Sequence, residues 1–320
     1  MSLVSLDAIR EAARRISSIA RRTPVIDVSA FAQRPLILKC EPHQPGGAFK
    51  IRGATNMLMR LPADALKKGV VTYSSGNHGQ AVALAASRLG THAVIVMPST
   101  APAIKVAGVK RWGGEVILEG TTSADRLARA KVEIEKRGLT MVPPFDHEWI
   151  IEGQGTCGLE ILEQVSDADV VVVPVGGGGL VSGVAAAIKL SKPTVQVIGV
   201  EPSGAAKMTA SLAAGHPVTL AKTASIADGL MPVRPGDITF EHVKAFVDKV
   251  VTVDDALIAR AALWLFEEAK QVVEPSGAAT VAAVLWPTAG SPLADKSKKV
   301  VAILSGGNVS AETLAGLRTS

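Results

Sequence analysis

Four glycine-rich turns mark the places where this chain has the means to bind a ligand. Each lies beside an apolar run that predicts a strand, and glycines there let the backbone approach a ligand and expose its N–H groups. The turns are PGGAFKIRGA at 45–54, SSGNHGQA at 74–81, VGGGGLVSG at 175–183 and SGGN at 305–308. The sequence therefore predicts a site built from backbone as much as from side chains.

The third turn is the clearest candidate for an anion site. A valine run at 170–173 ends in Pro174, an apolar helix is predicted from Leu180, and between them lie Gly176, Gly177, Gly178 and Gly179. Free N–H groups and the helix dipole stabilise a phosphate at such a helix start. The dinucleotide pattern G-x-G-x-x-G and the mononucleotide P-loop are both absent, so a lone phosphate fits better. A tight turn that only packs a helix on its strand is an equal alternative from these residues alone.

Lys50 and the turn at 74–81 carry side chains with chemical potential. Lys50 is predicted at or near the start of a helix, where a lysine is usually a solvated charge. The helix dipole there favours the neutral amine, which imine formation needs. Ser74 or Ser75 is able to cap the next helix. The functional interpretation instead gives Asn77 a hydrogen bond to a bound ring oxygen and places the Ser75 hydroxyl near a reacting carbon.

The elements that must hold these residues alternate along the chain. Strands are predicted at 36–40, 70–74, 92–97, 115–119, 169–175, 194–200, 249–253 and 300–305. Helical patterns lie between them, as at 80–90 and 123–138, and an opening helix is predicted over 6–21. Such alternation predicts βαβ units and parallel sheets with helices on both faces, and the number of strands favours two sheets.

Composition narrows the classes of function. The 320 residues are 48% apolar and 20% charged, which allows a buried core and argues against disorder. Aromatic residues are only 3% and the net charge of +5 comes from scattered side chains, which is not typical of a nucleic-acid surface. No apolar run is long enough to predict a membrane span, and the N-terminus does not read as a signal peptide. Cys40 and Cys157 are distant in sequence and fit a reducing cytoplasm.

The four turns, in this order and at these wide spacings, resemble the fold-type-II pyridoxal-phosphate enzymes, specifically the serine/threonine dehydratases (ammonia-lyases) and serine racemases. The resemblance covers residues 6 to 308. Further segments are similar to that family: EGQGT at 152–156, GVEPSGA at 199–205, IADGL at 226–230 and VEPSGAA at 273–279.

The resemblance implies a two-lobed α/β fold like that of the tryptophan synthase β-subunit. Parallel-rich twisted sheets flanked by helices would hold pyridoxal 5′-phosphate in the cleft between the lobes. We expect a large cofactor-binding domain of residues 1–68 plus 147–320, and a small inserted domain of residues 69–146.

The resemblance also implies roles by position. Lys50 would carry the cofactor as a Schiff base, Phe49 would flank its ring, and Asn77 would bond its 3-hydroxyl. The glycines at 176–179 would bind its phosphate. The substrate carboxylate would be held by Ser74, Ser75, Asn77, His78 and Gly79. Ser305 would face the pyridine nitrogen, and because a hydroxyl does not keep that nitrogen protonated, elimination is favoured over transamination.

Departures from the family pattern leave the substrate open. The family usually has serine or threonine at the position of Gly46 and often serine at Ala48, so one wall of the pocket is expected to be looser. In GTTSADR at 120–126, the arginine expected for a small substrate aligns with Asp125.

A second departure concerns a divalent cation that some family members hold. Glu201 and the backbone of Ala205 match its ligands, but Lys207 stands at the aspartate position. We therefore predict that no metal is bound, with the lysine ammonium in the place of the cation. The alternative is that Lys207 points to solvent.

The function that we expect is β-elimination of a β-hydroxy amino acid, such as threonine or serine, to a 2-oxo acid and ammonia. A serine racemase, with Ser75 delivering a proton opposite Lys50, is an alternative, as is a dehydratase of a bulkier or acidic β-hydroxy amino acid. Intact Lys50, Asn77 and Ser305 argue against a catalytically silent ligand-binding relative. We expect a cytoplasmic homodimer or higher homo-oligomer that acts on a small amino acid and has no nucleic-acid or membrane partner.

Overall fold

The computed structural model describes residues 2–74 and 76–319. The strands are β1 (Val25–Asp27), β2 (Leu36–Cys40), β3 (Val70–Tyr73), β4 (Ala93–Met97), β5 (Glu115–Leu118), β6 (Thr140–Met141), β7 (Val170–Pro174), β8 (Gln196–Pro202), β9 (Lys249–Val253) and β10 (Val300–Leu304). The α-helices are α1 (Leu6–Ile16), α2 (Ser29–Ala32), α3 (Lys50–Met59), α4 (Ala63–Lys68), α5 (Asn77–Arg88), α6 (Ala103–Arg111), α7 (Ser123–Arg137), α8 (Glu148–Gln164), α9 (Gly179–Ser191), α10 (Lys207–Ala214), α11 (Asp237–Phe246), α12 (Asp255–Glu267), α13 (Pro275–Leu285) and α14 (Ala311–Gly316).

The larger sheet has six strands in the order β1-β2-β10-β7-β8-β9. β1 runs antiparallel to β2, with Ile26 opposite Leu38, and the other neighbours are parallel. The central strands β7 and β10 are buried along their whole length. Strands buried on both faces need apolar side chains at every position, which explains their unbroken runs of Val, Ile and Leu.

The smaller sheet has four parallel strands in the order β5-β4-β3-β6. Its strands lie between residues 70 and 141. Two parallel-rich sheets with flanking helices confirm the predicted fold class. The boundaries of the two domains, 1–68 plus 147–320 and 69–146, stay a prediction.

The opening helix is shorter than the sequence predicts. α1 ends at Ile16 and not near residue 21, and the Ser17 hydroxyl donates a 2.8 Å hydrogen bond to the carbonyl oxygen of Arg14. Serine side chains compete with the helix for backbone partners, so the Ser17-Ser18 pair favours an end there. Two strands are absent from the prediction, because β1 and β6 have only three and two residues and show no strand period.

The strands that carry three of the glycine-rich turns lead to one cleft. β3, β7 and β10 end at Tyr73, Pro174 and Leu304, and Ser74, Gly176 and Ser305, which follow these ends by one or two positions, line the same cavity. Ligands of open α/β sheets usually bind at such carboxyl ends. Among the described helices, none has both the length and the apolar character that crossing a membrane requires.

Candidate active site

A cavity of about 350 Å³ lies where the turns of the two sheets meet. The predicted site residues that line it are Phe49, Lys50, Ser74, Asn77, His78, Gly176, Gly177, Gly178, Gly179 and Ser305. Gly79 is not on the cavity wall, because in α5 it faces β4, where an added Cβ would lie 2.7 Å from Ile95. Ser75 lies outside the described residues. The structure thus brings together segments that are up to 256 residues apart, from Phe49 to Ser305.

Lys50 is the first residue of α3 and projects into this cavity. Its Nζ donates a 2.6 Å hydrogen bond to the carbonyl oxygen of Pro144 and lies 5.2 Å from the centre of the Phe49 ring. Burial lowers the pKa of Lys50 to about 8. Burial, in addition to the helix dipole invoked from the sequence, therefore favours the neutral and nucleophilic amine.

The first turn of α3 is held by a buried ion network. Arg52 is 1% exposed and donates 2.8 Å hydrogen bonds from Nε and Nη2 to the two carboxylate oxygens of Glu41. It also donates to Glu160 at 2.6 and 2.8 Å. Burial alone would raise the pKa of Glu41, but the charge and hydrogen bonds of Arg52 lower it on balance. Because these ties fix the start of α3, they fix the position of Lys50.

The glycine turn between β7 and α9 forms a narrow cradle. Gly178 has φ +103°, a left-handed conformation that favours glycine, and a Cβ there would lie 2.7 Å from Thr239. A Cβ on Gly177 would lie 2.4 Å from the Phe145 ring. The hydroxyl of Thr239 donates a 2.7 Å hydrogen bond to the carbonyl oxygen of Gly177 and so holds the turn. The first N–H groups of α9 have no acceptor within the helix, so the cradle offers donors at a positive helix end.

Asn77 is fixed from two sides at the first position of α5. Its Nδ2 donates a 2.6 Å hydrogen bond to Oε1 of Glu274, and its Oδ1 accepts a 2.9 Å hydrogen bond from Nδ2 of Asn308. Burial, with the nearby charge of Asp228, raises the pKa of Glu274 to about 8, so this carboxyl is mainly protonated at pH 7. One N–H of the Asn77 amide remains for a ligand.

His78 and Ser305 complete the walls. The ring Nε2 of His78 lies 3.1 Å from the carbonyl oxygen of Val142, and because a carbonyl only accepts, this nitrogen carries the proton. Burial and the charge of Lys50 lower the pKa of His78 to about 3, so the ring is neutral. Ser305 follows β10 and is 4% exposed. Its carbonyl oxygen accepts a 3.0 Å hydrogen bond from the N–H of Phe49, which ties this edge to the start of α3.

Comparison with known proteins agrees with this geometry. The family model described as pyridoxal-phosphate dependent enzyme matches residues 16–306. The chain belongs to this family. An L-threonine ammonia-lyase of Thermotoga maritima is 44% identical over 310 residues, which are 96% of this chain and 76% of that protein. A serine racemase of Oryza sativa subsp. indica is 44% identical over 308 residues, 95% of this chain and 91% of that protein. The structure of maize serine racemase aligns with a TM-score of 0.94 at 43% identity, covering 99% of this chain and 98% of that one.

As a pyridoxal-phosphate dependent enzyme, the protein uses pyridoxal 5′-phosphate as its cofactor. The residues present fit that group. The cofactor needs an amine with a neutral fraction, a phosphate site and partners for a ring hydroxyl and a ring nitrogen. Lys50, the glycine cradle, Asn77 and Ser305 offer these within one cavity.

Sequence reasoning missed five charged residues that line this cavity: Lys105, Arg126, Asp228, Arg234 and Glu274. Lys105 of α6 forms an ion pair with Asp228, which follows β8 in the chain. Glu274 precedes α13 in the quoted segment VEPSGAA, and its side chain makes no capping bond to that helix. The likeness of VEPSGAA to the family gives Glu274 no role, and a glutamate directly before a helix and followed by proline also fits a surface residue.

Asp125, where the resemblance led us to expect an arginine, has a structural role. Its carboxylate accepts hydrogen bonds from the N–H groups of Thr121 and Thr122, and with the Thr122 hydroxyl it forms a capping box at the start of α7. The spacing Thr-x-x-Asp is a sequence signal for such a cap. The next residue, Arg126, is the one that reaches the cavity.

Lys207 is fully buried, so the alternative that it points to solvent is wrong. Its Nζ donates to the carbonyl oxygens of Val175, Ala205 and Leu230 at 2.8, 3.1 and 2.9 Å and lies 3.5 Å from Oε2 of Glu201. An ammonium has three N–H donors, and here each has a carbonyl. In residues 2–74 and 76–319, no group of three or more His, Cys, Asp or Glu side chains is placed to hold a metal. That the protein binds no metal stays a prediction.

Proposed function

We propose that this protein is an ammonia-lyase that eliminates the β-hydroxyl of an amino acid such as threonine or serine and releases a 2-oxo acid and ammonia. The observation that carries the proposal is Lys50, an amine with its pKa lowered to about 8 in the same cavity as the glycine cradle and Ser305. The L-threonine ammonia-lyase among the relatives supports the same reaction.

The proposed roles follow from what each residue is able to do. Pyridoxal 5′-phosphate, when bound, withdraws electrons from the α-carbon of the substrate and acidifies its α-proton. Lys50 removes that proton, because its lowered pKa leaves a neutral fraction near pH 7. The N–H groups of Gly176 to Gly179 would hold the phosphate, and Asn77 would donate to the ring hydroxyl. Ser305 would offer the ring nitrogen a neutral hydroxyl, which favours elimination.

The substrate carboxylate has its own proposed partners. The start of α5 offers N–H groups at a positive helix end in the cavity that Lys50 also lines. The proposed partners in this segment are Ser74, Ser75, Asn77 and His78, whereas Gly79 faces β4. His78 would contribute its backbone N–H, because its ring is neutral, with its pKa lowered to about 3, and its one ring proton is donated to Val142.

We also infer the setting in which the enzyme works. Residues 1–68 plus 147–320 are proposed as the large cofactor-binding domain and residues 69–146 as the small one. The free, buried thiols of Cys40 and Cys157 suit a reducing cytoplasm. A homodimer or higher homo-oligomer without nucleic-acid or membrane partners remains our proposal.

The test is product analysis with the cofactor-loaded protein. We expect L-threonine or L-serine to yield equal amounts of 2-oxo acid and ammonia, and Lys50→Ala to abolish both. Lys67→Ala, which removes an exposed lysine of α4, serves as the control and should keep full activity. Chiral chromatography of serine in the same reactions separates the alternative: interconversion of L- and D-serine faster than 2-oxo acid release would replace the lyase by a racemase.

A further inference from the structure

All but one of the basic side chains that line the cavity have a carboxylate partner or a role in the proposed reaction. Four basic residues line it, and two of them have carboxylate partners: Lys105 pairs with Asp228, and Arg234 pairs with Asp237 at 2.6 Å. Lys50 is taken by the cofactor. The fourth basic residue, Arg126, has neither a carboxylate partner nor a role in the reaction proposed above.

Arg126 is buried but incompletely bonded. Arg126 is only 8% exposed, and its Nε has no hydrogen-bond partner. Nη2 donates to the hydroxyl of Ser123 at 2.9 Å and Nη1 to the carbonyl oxygen of Thr121 at 3.3 Å. Within the part of the chain that the structure describes, no carboxylate oxygen lies within 4.0 Å of its guanidinium nitrogens. A guanidinium has five N–H donors and remains charged. In this arrangement some of its N–H groups have no acceptor and its positive charge has no counter-ion.

The position of Arg126 is set by rigid elements. It lies in the first turn of α7, which the Thr122–Asp125 capping box fixes. Asp125 acts on Arg126 through space, but its Oδ2 accepts from the N–H groups of Thr121 and Thr122. The guanidinium is therefore held beside the cavity without being neutralised. An unpaired buried charge is costly, and a bound anion removes that cost.

Arg126 and the proposed α-carboxylate site line one cavity but come from different elements. That site belongs to the start of α5 after β3, whereas Arg126 and Ser123 come from α7 after β5. A monocarboxylic substrate such as serine has one carboxylate for the α5 segment and none for α7. A dicarboxylic substrate has one for each.

We propose that Arg126, with the hydroxyl of Ser123, binds a carboxylate on the side chain of the substrate, so that the preferred substrate is a β-hydroxy dicarboxylic amino acid of the 3-hydroxyaspartate type. This rests on the ammonia-lyase function proposed above. Loss of the α-proton and the β-hydroxyl releases one water, and hydrolysis of the resulting enamine consumes one. One 3-hydroxyaspartate therefore gives one four-carbon 2-oxo diacid and one ammonia.

The first experiment compares substrates in the cofactor-loaded enzyme. We expect a higher kcat/KM for 3-hydroxyaspartate than for L-serine or L-threonine. Arg126→Gln should lower the ratio of the value for 3-hydroxyaspartate to that for serine by about 30-fold, as for the loss of a buried charge pair. Lys131→Gln removes a positive charge from an exposed position of the same helix and should leave that ratio unchanged. Equal losses on both substrates would show that Arg126 binds the α-carboxylate, and a wild-type preference for serine would also overturn the proposal.

The second experiment needs no turnover. L-Malate and L-lactate differ by one side-chain carboxylate and have no amine to react, so their binding to the loaded enzyme is compared by calorimetry. We expect malate to bind more tightly than lactate in the wild type, by about 10-fold or more, and this preference to vanish in Arg126→Gln. If Arg126→Gln does not fold, the malate preference of the wild type and its reduction in Ser123→Ala still decide the matter; equal binding of both acids by the wild type overturns the subsite. A malate preference without release of 2-oxo acid from any substrate would overturn the lyase function and leave the subsite standing.

Discussion

The amide of Asn77 donates a 2.6 Å hydrogen bond to Oε1 of Glu274, a residue 197 positions later in the chain. Asn308 donates to the oxygen of the same amide, which fixes its orientation. Because burial raises the pKa of Glu274 to about 8, the carboxyl keeps its proton at neutral pH. A neutral acid holds Asn77 without adding negative charge to the site.

The first prediction concerns this proton. Folded Glu274 keeps it up to about pH 8, whereas the unfolded chain loses it near pH 4.5, so Glu274 makes the protein less stable as pH rises between these values. Glu274→Gln has no such proton. We expect the free energy of unfolding of the cofactor-free variant, relative to wild type, to rise with pH by up to about 1.4 kcal/mol per unit. Urea unfolding at pH 5, 6.5 and 8 measures this, and a difference that does not change with pH would contradict it.

The second prediction concerns loading of the cofactor on Lys50. Attachment requires the neutral amine, and burial lowers the pKa of Lys50 to about 8 from an ordinary 10.5. The rate of attachment to the cofactor-free protein should rise with pH and level off above about pH 8 to 9. Stopped-flow absorbance measures the rate, with Lys67→Ala as the control, and borohydride reduction with peptide mapping should place the pyridoxyl group on Lys50. A rate that still rises steeply at pH 10 would contradict the shift.

The third prediction concerns the glycine cradle. A Cβ on Gly177 would lie 2.4 Å from the Phe145 ring, so Gly177→Ala must displace that ring or the turn, at a cost of ~1–3 kcal/mol. We expect a matching loss of cofactor affinity in equilibrium dialysis, and a larger loss for Gly177→Asp, which adds a negative charge. Gly316→Ala in α14, where a Cβ has open space, is the control. Unchanged occupancy in Gly177→Asp would show that the phosphate binds elsewhere.

The fourth prediction concerns the contribution of the buried Arg52–Glu41 ion pair to the stability of the protein. Arg52→Met leaves the fully buried carboxylate of Glu41 without its main cation, which should cost ~3–5 kcal/mol of the free energy of unfolding. Arg10→Met breaks an exposed pair with Asp7 and should cost only ~0–1 kcal/mol. Because Arg52 lowers the pKa of Glu41, the stability from this pair is present above about pH 4.5 and is lost as pH falls below it. Equal effects of the two substitutions in urea unfolding would argue against the network.

The fifth prediction concerns the buried ammonium of Lys207. Burial lowers its pKa to about 8, yet at pH 7 the charged form prevails and matches three carbonyl oxygens and Glu201. Activity should therefore survive EDTA and gain little from Mg²⁺. Lys207→Asp exchanges the cation for a carboxylate beside Glu201, and Ca²⁺ or Mg²⁺ should raise the melting temperature of this variant but not of the wild type. A large, reversible loss of wild-type activity on chelation would show that a metal site persists.

The sequence alone determines the elements and the turns that form the site. Alternating strands and helices follow from local apolar patterns, because the side-chain period is a property of neighbouring residues. The glycine turns and the helix start at Lys50 are local for the same reason, and the structure places them as the sequence predicts. The short strands β1 and β6 escape such reasoning because they owe their form to pairing with β2 and β3.

Only the tertiary structure decides which charges are paired and which groups keep their protons. Glu274 reads as a surface residue from the sequence, and only packing against the start of α5 buries it beside Asn77. The buried ammonium of Lys207 donates to carbonyl oxygens from three segments of the chain. Arg126 has no carboxylate partner, because the neighbouring Asp125 caps α7. These outcomes depend on desolvation and on contacts between distant segments, and no local pattern of residue types contains either.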